Sequence, residues 1–175
     1  MFVDFQKTLE NRIKFGMTDG KTIYFVNLVG IQIAMKKILI LNGPNLNLLG
    51  KRQPEIYGNR SFEDYLKFLK NKFPAIRLDY YQSNHEGDLI DKLQAAGGEY
   101  DAVVFNPAAY THTSIALRDT VSAIDIPVAE VHISNIYERE DFRRISYIRD
   151  VAVFSIIGKG LDGYAEAVER LLKII

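Results

Sequence analysis

From Lys37 onward, the amino-acid sequence predicts an α/β domain built on a doubly wound, five-stranded parallel sheet with helices on both faces. Short apolar segments alternate with segments whose apolar residues recur at helical spacing, as in consecutive βαβ units. The apolar segments, such as residues 38–41 and 103–105, contain little polar alternation. Strands of that composition are typical of a sheet that is covered on both faces.

The predicted elements follow one another along this part of the chain. The strands are residues 38–41, 76–81, 102–105, 126–131 and 151–156, and the helices are residues 62–73, 86–96, 113–123, 138–144 and 163–172. Ser61 begins a capping-box pattern before the first helix, and Pro74 stops that helix. Gly97 and Gly98 follow the second helix and indicate its C-terminal end.

Composition limits the classes of function. The 175 residues fit one domain, and 47% hydrophobic with 25% charged residues is ordinary for a globular protein. Twenty-two basic and 22 acidic residues give no net charge, so no general attraction to nucleic acid or to an anionic membrane is expected. The chain has no cysteine, which excludes disulfides, thiol nucleophiles and thiolate metal sites. These features indicate a cytoplasmic protein.

The first 34 residues differ from the rest. Residues 22–34 are apolar but too few to span a bilayer, and Asp4 and Glu10 precede them where a secretory signal would be basic. We therefore expect a single catalytic domain at residues 35–175. Residues 1–34 are either the product of a start codon placed too early, the favoured hypothesis, or an extension that adds residues 22–29 as a strand.

The segment after the first predicted strand carries an arginine and a tyrosine in a loop rich in glycine and proline. Arg52 and Tyr57 lie there, and loops at the carboxyl ends of parallel strands are where ligands bind. The loop therefore fits a lid that closes on a substrate. Each residue alone has a structural alternative: Arg52 as a solvated charge and Tyr57 as a half-buried aromatic.

Polar side chains follow three of the strands. They are Asn42, Asn45, Arg52, Tyr57, Asn106, Glu130, His132 and Ser134. We expect them to converge in one crevice, with free backbone N–H groups after Asn106 and the charges of Arg143 and Arg144 favouring an anionic group. His112 could instead bond its own backbone, and His132 could be a satisfied buried histidine.

Four segments together resemble the type II 3-dehydroquinate dehydratases. They are residues 42–50 with Arg52, Pro54, Tyr57 and Gly58; residues 106–114 with 117–119; residues 130–135; and residues 139–140 with 142–144. The resemblance covers residues 37–172 and implies a flavodoxin-like fold. It also implies elimination of water from 3-dehydroquinate to give 3-dehydroshikimate, in the shikimate route to aromatic amino acids, without metal, cofactor or Schiff base.

The same resemblance implies roles for individual residues. Tyr57 would be the base that removes a C2 proton, Arg52 would stabilise its phenolate, and His132 would protonate the departing C1 hydroxyl. An arginine charge suits a tyrosine base, because a free tyrosine has a pKa of about 10. Glu130 would orient the imidazole, and Asn45 would hold a water at the enolate oxygen.

Substrate binding and assembly are also implied by the resemblance. The substrate-binding residues would be Asn106, His112, Ile133, Ser134 and Arg143, with Asp119 reaching a neighbouring subunit's site. The family forms trimers stacked into dodecamers, so a homo-oligomer is implied; Asp119 alone would instead be a solvated, ion-paired helix residue. Tyr137 and Ile145 stand where many members have histidine.

Three rival interpretations use the same sheet or the same residue types. A flavodoxin-like ligand-binding module without catalysis is the main one, but residues 42–56 lack the hydroxyl groups of a flavodoxin phosphate loop. A phosphorylated receiver would need an aspartate where Asn106 stands. A zinc hydrolase using His85, His112 and His132 would have its ligands after different strands without close spacing.

Overall fold

The computed structural model describes residues 35–50 and 60–175 and, nearer the start of the chain, the backbone of residues 13–18 and 21–26. The chain divides into two compact units, Met1–Ala34 and Met35–Ile175. In the first unit, β1 (Ile13–Thr18) pairs antiparallel with β2 (Lys21–Val26) in a sheet of two strands. Residues 22–26 are thus a strand, as the extension hypothesis expects, but their partner is β1; residues 27–29 lie outside the described residues.

The second unit is built on five parallel strands with helices between them. The strands are β3 (Lys37–Asn42), β4 (Arg77–Gln82), β5 (Ala102–Asn106), β6 (Val128–His132) and β7 (Phe154–Ile157), and the helices are α1 (Phe62–Lys72), α2 (Glu86–Glu99), α3 (Ile115–Ala123) and α4 (Asp162–Leu171). The strands lie in the order β4-β3-β5-β6-β7, and every pairing is parallel. This confirms the predicted doubly wound sheet.

Two apolar cores cover the two faces of the sheet. Alternate residues of β3 point to opposite faces, so Ile38 and Ile40 pack with α1 and α4, whereas Leu39 and Leu41 pack with α2 and α3. All four of these side chains are buried. The run of consecutive apolar residues in the sequence is therefore explained by burial on both faces, as predicted.

Two predicted helix boundaries were wrong for local reasons. Helix α2 continues through Gly97 and Gly98 to Glu99, because a glycine is tolerated in a helix when neighbouring turns support it. Helix α3 begins at Ile115, where the Ser114 hydroxyl accepts a hydrogen bond from the Leu117 N–H at 2.8 Å.

The last strand and the helix expected before it also differ from the prediction. Strand β7 begins at Phe154, because the N–H groups of Val151 and Ala152 donate to the Ile148 carbonyl in a turn. The helix expected at residues 138–144 is replaced by two 3₁₀ turns, Ile136–Glu138 and Asp141–Arg143. Extended backbone at Arg139 and Glu140 separates these turns.

The strand ends meet at a tight backbone contact beside Gly43. Its N–H donates to the Asn106 carbonyl at 2.7 Å, and a Cβ on Gly43 would lie 2.4 Å from the Pro107 carbonyl oxygen. Only glycine fits this approach without displacing backbone. Gly43 thereby fixes the distance between the loops that follow β3 and β5.

We expect Gly43→Ala to lower the free energy of unfolding by about 1–3 kcal/mol, because the added methyl forces two backbone segments apart. Urea denaturation followed by circular dichroism measures this loss. Gly87→Ala is the matched control, since a Cβ there meets nothing within 4 Å. Equal stability of the two variants would contradict the packing argument.

Candidate active site

A pocket of about 150 Å³ lies at the carboxyl ends of β3, β5 and β6. Its lining comprises Pro44, Asn45, Leu46, Leu48, Leu49, Asn106, Ala108, Ala109, His112, His132, Ile133, Ser134, Ile136, Arg139 and Arg143. Parallel strands bring their carboxyl ends to one edge of a sheet, and this edge is where open α/β sheets bind ligands. The location is the one predicted from the sequence.

A buried carboxylate and imidazole form the chemical centre of the pocket. Glu130 is fully buried and His132 is 5% exposed. The Nε2–H of His132 donates to Glu130 Oε1 at 2.8 Å. The hydroxyls of Thr111 and Ser146 lie 2.7 and 2.6 Å from the same oxygen, and the Ser155 hydroxyl donates to Oε2 at 2.6 Å. The two residues predicted as acid and orienting group are thus in direct contact.

The charge of Glu130 follows from these partners. Burial opposes ionisation, but hydrogen bonds from His132, Ser146 and Ser155, together with the His132 charge, outweigh it and lower the pKa of Glu130 to about 2. An ionised Glu130 can only accept, so the proton of the contact resides on His132 Nε2. Nδ1 is left as the nitrogen of His132 that can exchange a proton with a bound molecule.

His112 also lines the pocket, in a fixed orientation. Its Nδ1–H donates to the Ile145 carbonyl oxygen at 2.6 Å. Burial and the positive charges of His132 and Arg143 lower the pKa of His112, although the bond to Ile145 acts against this. A neutral His112 therefore offers the lone pair of Nε2 for hydrogen bonding.

Asn106 is held by a hydrogen-bonded chain that runs into the core. Its Nδ2 donates to the Tyr164 hydroxyl at 2.8 Å, and that hydroxyl donates to Asn42 Oδ1 at 2.8 Å. The Oδ1 of Asn106 accepts from the Ala108 N–H, and Ala108 has a left-handed φ of 52°. Tyr164 is fully buried, which raises the pKa of its hydroxyl and keeps it protonated as a donor.

The loop after β3 contributes Asn45 to the pocket. This residue has a φ of 66°, a conformation that asparagine tolerates better than most residues. Its N–H donates to Asn84 Oδ1 at 2.9 Å, and its side chain makes no capping bond to the 3₁₀ turn Leu46–Leu48. The Asn45 side chain is thus not committed to the turn that follows it.

Two arginines supply positive charge to the pocket wall. Arg143 donates through Nε to Glu140 Oε2 at 3.0 Å, and Arg139 Nε lies 3.5 Å from the same oxygen. Arg143 was predicted as a site residue, whereas Arg139 was not. The repeated arginine beside acidic residues in residues 139–144 was the available signal, but it could not show which arginines face the pocket.

Several predicted residues meet in the pocket and others do not. The pocket lining includes Asn45, Asn106, His112, His132, Ile133, Ser134 and Arg143, with Glu130 bonded to His132. Asp119 is exposed on α3, and its carboxylate lies 3.3 Å from Arg118 Nη1 in the same chain. Tyr57 and Arg52 lie outside the described residues. His85 is at the start of α2 and does not line the pocket.

The two positions where histidine was expected have identifiable contacts. Tyr137 is 45% exposed, and its ring lies 5.0 Å from the Arg149 guanidinium carbon. Ile145 has an exposed side chain, and its carbonyl oxygen orients His112. Neither difference removes a group from the pocket lining.

Residues 36–172 match the family described as dehydroquinase class II. The chain belongs to the class II dehydroquinase family. The 3-dehydroquinate dehydratase of Endomicrobium trichonymphae is 47% identical over 143 residues, which cover 81% of this chain and 100% of that protein. The catabolic 3-dehydroquinase of Aspergillus oryzae is 49% identical over 138 residues, covering 78% of this chain and 90% of that protein.

Solved structures agree with this assignment. The crystal structure of a type II dehydroquinase from Butyrivibrio crossotus DSM 2876 superposes with a TM-score of 0.77 at 46% identity, covering 79% of this chain and 98% of that one. A type II dehydroquinase from Propionibacterium acnes gives a TM-score of 0.75 at 37% identity, covering 79% and 97%. The family match and the similar dehydroquinase structures do not favour the rival interpretation, a flavodoxin-like module without catalysis.

Within residues 35–50 and 60–175, no group of three or more histidine, aspartate or glutamate side chains could hold a metal ion. No helix in the same residues is long and apolar enough to cross a membrane.

The depressed pKa of Glu130 predicts a specific dependence of stability on pH. Because the folded-state pKa lies near 2 and the ordinary value is 4.5, ionised Glu130 stabilises the fold above pH 4.5, and this contribution is lost as the pH falls toward 2. We expect the stability difference between wild type and Glu130→Gln to be largest above pH 4.5 and to shrink below it. Urea denaturation at a series of pH values measures this, with the exposed Asp141→Asn as control. If the stability difference between wild type and Glu130→Gln did not change with pH, the lowered pKa of Glu130 would be contradicted.

Proposed function

We propose that this class II dehydroquinase eliminates water from 3-dehydroquinate through an enolate intermediate, giving 3-dehydroshikimate. The reaction class is that of a hydro-lyase, consistent with the family and with the names of its relatives. The observation that carries the proposal is the buried Glu130–His132 pair at a pocket that also contains Asn106, His112 and Arg143. The pair supplies a proton donor, and the other three supply groups that bind a polyhydroxylated carboxylate.

His132 acts as the acid for the leaving group. Protonating the C1 hydroxyl converts a poor leaving group into water, and a histidine is suited to this near neutral pH. The contact with Glu130 holds one proton on Nε2, so the proton given to the departing hydroxyl is the one carried by Nδ1. Asn106 lines the same pocket and binds a substrate hydroxyl.

Tyr57 acts as the base, and Arg52 supplies the positive charge that stabilises its phenolate. The assignment rests on the resemblance to the family and on chemistry, because a tyrosine base at neutral pH needs a permanent neighbouring cation. Both residues follow the segment that contributes Asn45, Leu46, Leu48 and Leu49 to the pocket lining. Removing the C2 proton next to the ketone gives an enolate, and a water held by Asn45 would stabilise its oxygen.

The carboxylate of the substrate binds near Arg143. An arginine provides a charge-assisted hydrogen bond to a carboxylate, and Ile133 and Ser134 line the same pocket with backbone N–H groups available after the end of β6. His112 binds a ring hydroxyl through Nε2, since its Nδ1 is committed to Ile145. The substrate is thus held by donors at Arg143 and after β6 and by an acceptor at His112.

Assembly and location complete the proposal. We infer a homo-oligomer, with dodecamers of stacked trimers as the expected form, in which the exposed Asp119 reaches a neighbouring copy's site. The protein acts in the cytoplasm, without metal or cofactor. Residues 35–175 form the catalytic domain, and residues 1–34 lie outside it.

We expect Tyr57→Phe and Arg52→Ala each to reduce kcat by about 10²- to 10⁴-fold. The first variant lacks the base, and the second lacks the charge that stabilises the phenolate of that base. Turnover is followed by the ultraviolet absorbance of the enone product, with EDTA and, separately, borohydride present. Wild-type turnover should be insensitive to both reagents. Tyr100→Phe and Arg77→Ala are matched controls, since both residues lie at the opposite end of the sheet. Retained activity in either site variant would contradict the mechanism.

We expect Arg143→Ala to raise KM by about tenfold or more while kcat falls much less, because the lost group binds the carboxylate in both ground and transition states. Steady-state kinetics separate the two constants. Arg144→Ala is the matched control, since this arginine is 55% exposed and pairs with Asp141. An equal rise of KM in both variants would contradict a specific contact of Arg143 with the carboxylate and would indicate a general effect of losing one positive charge.

A further inference from the structure

The Glu130 carboxylate accepts more hydrogen bonds than orientation of one histidine requires. Three hydroxyls surround it, from the 3₁₀ turn Ala108–His112, the loop before β7, and β7 itself. Ser146 also accepts a hydrogen bond from the Arg149 N–H at 3.1 Å. Of this buried cluster, the proposed function gives a role to Glu130 and His132 and none to the three hydroxyls.

A count of protons separates the three hydroxyls into two kinds. Thr111 and Ser146 each lie within bonding distance of Glu130 Oε1 and lie 2.8 Å from each other. The two hydroxyls have two protons for these three contacts, so one contact lacks a proton at any moment. Either both hydroxyls donate to Oε1 or one of them donates to the other, so Oε1 receives two hydroxyl protons or one.

Ser155 has no such ambiguity. Within residues 35–50 and 60–175, its hydroxyl contacts a single acceptor, Glu130 Oε2, at 2.6 Å. Ser155 is also the register partner of Glu130 across the β6–β7 pairing, so the backbone fixes the separation of the two side chains. The Ser155 proton is thus the one constant hydroxyl donor to this carboxylate.

We propose that Ser155 is a positioning residue for the dehydration reaction. Its hydroxyl fixes the rotation of the Glu130 carboxylate, so that Oε1 faces His132 Nε2 and keeps a proton on that nitrogen. In the neutral ring Nδ1 is then free to take up a proton, and in the protonated ring Nδ1 carries the proton that is delivered. The inference rests on the proposed role of His132 as the acid. Ser155 does not itself line the pocket, and it acts through Glu130.

The test compares Ser155→Ala with Ser155→Thr. The ring nitrogens of His132 are observed by ¹⁵N NMR and assigned by their loss in His132→Ala. We expect wild type and Ser155→Thr to show the Nε2–H tautomer, whereas Ser155→Ala shows a mixture with Nδ1–H and a faster-exchanging ring proton. In kinetics, Ser155→Ala should lower kcat by about threefold to tenfold, the effect of one hydrogen bond, with KM changed by less than about twofold.

Ser83→Ala is the matched control. It removes a buried serine hydroxyl that donates to Asp88 at 2.7 Å, away from His132. Equal behaviour of Ser155→Ala and Ser83→Ala in both measurements would overturn the proposal, as would a Ser155→Thr variant that behaved like alanine. If wild type showed no turnover, the proposed function would fail, and the tautomer measurement alone would still decide the role of Ser155.

Discussion

The ionised carboxylate of Glu130, buried beneath the pocket, is the constraint on which the site depends. Removing such a charge from water costs several kcal/mol unless hydrogen bonds replace the lost hydration. Four donors from β6, β7 and two loops provide that replacement. These hydrogen bonds stabilise the buried charge and also hold the four segments together. The same bonds therefore determine the ionisation of Glu130 and the positions of the segments around it.

The parallel sheet provides the geometry in which this can happen. Glu130 and His132 are two residues apart on β6, so their side chains emerge on the same side of the strand and meet in direct contact. Asn42 and Asn106 are register partners at the ends of β3 and β5, and the Tyr164 hydroxyl joins their amides. The Gly43 contact with Pro107 sets how closely these strand ends approach. Core packing thus fixes the polar groups of the pocket.

The sequence predicted the sheet and most of the polar residues that line the pocket because those features depend on local pattern. Strand β3 could be predicted since four consecutive apolar residues suit only a strand covered on both faces. The hydroxyl donors Thr111, Ser146 and Ser155 could not, because serine and threonine are common and their convergence depends on tertiary structure. The two 3₁₀ turns in residues 136–143 were not predicted because the composition of this segment is typical of a helix. The extended backbone at Arg139 and Glu140, which prevents one continuous helix, is not visible in that composition.

The charges around His112 imply that binding and protonation are coupled in this pocket. Burial and the nearby positive groups, His132 and Arg143, lower the pKa of His112 in the unliganded protein. A bound carboxylate adds a negative charge beside the same arginine, which reverses part of that effect and favours a protonated His112. A protonated ring keeps its Nδ1–H bond to Ile145 and turns Nε2 from acceptor into donor. His112 can therefore match either a hydroxyl proton or a lone pair of the ligand without moving.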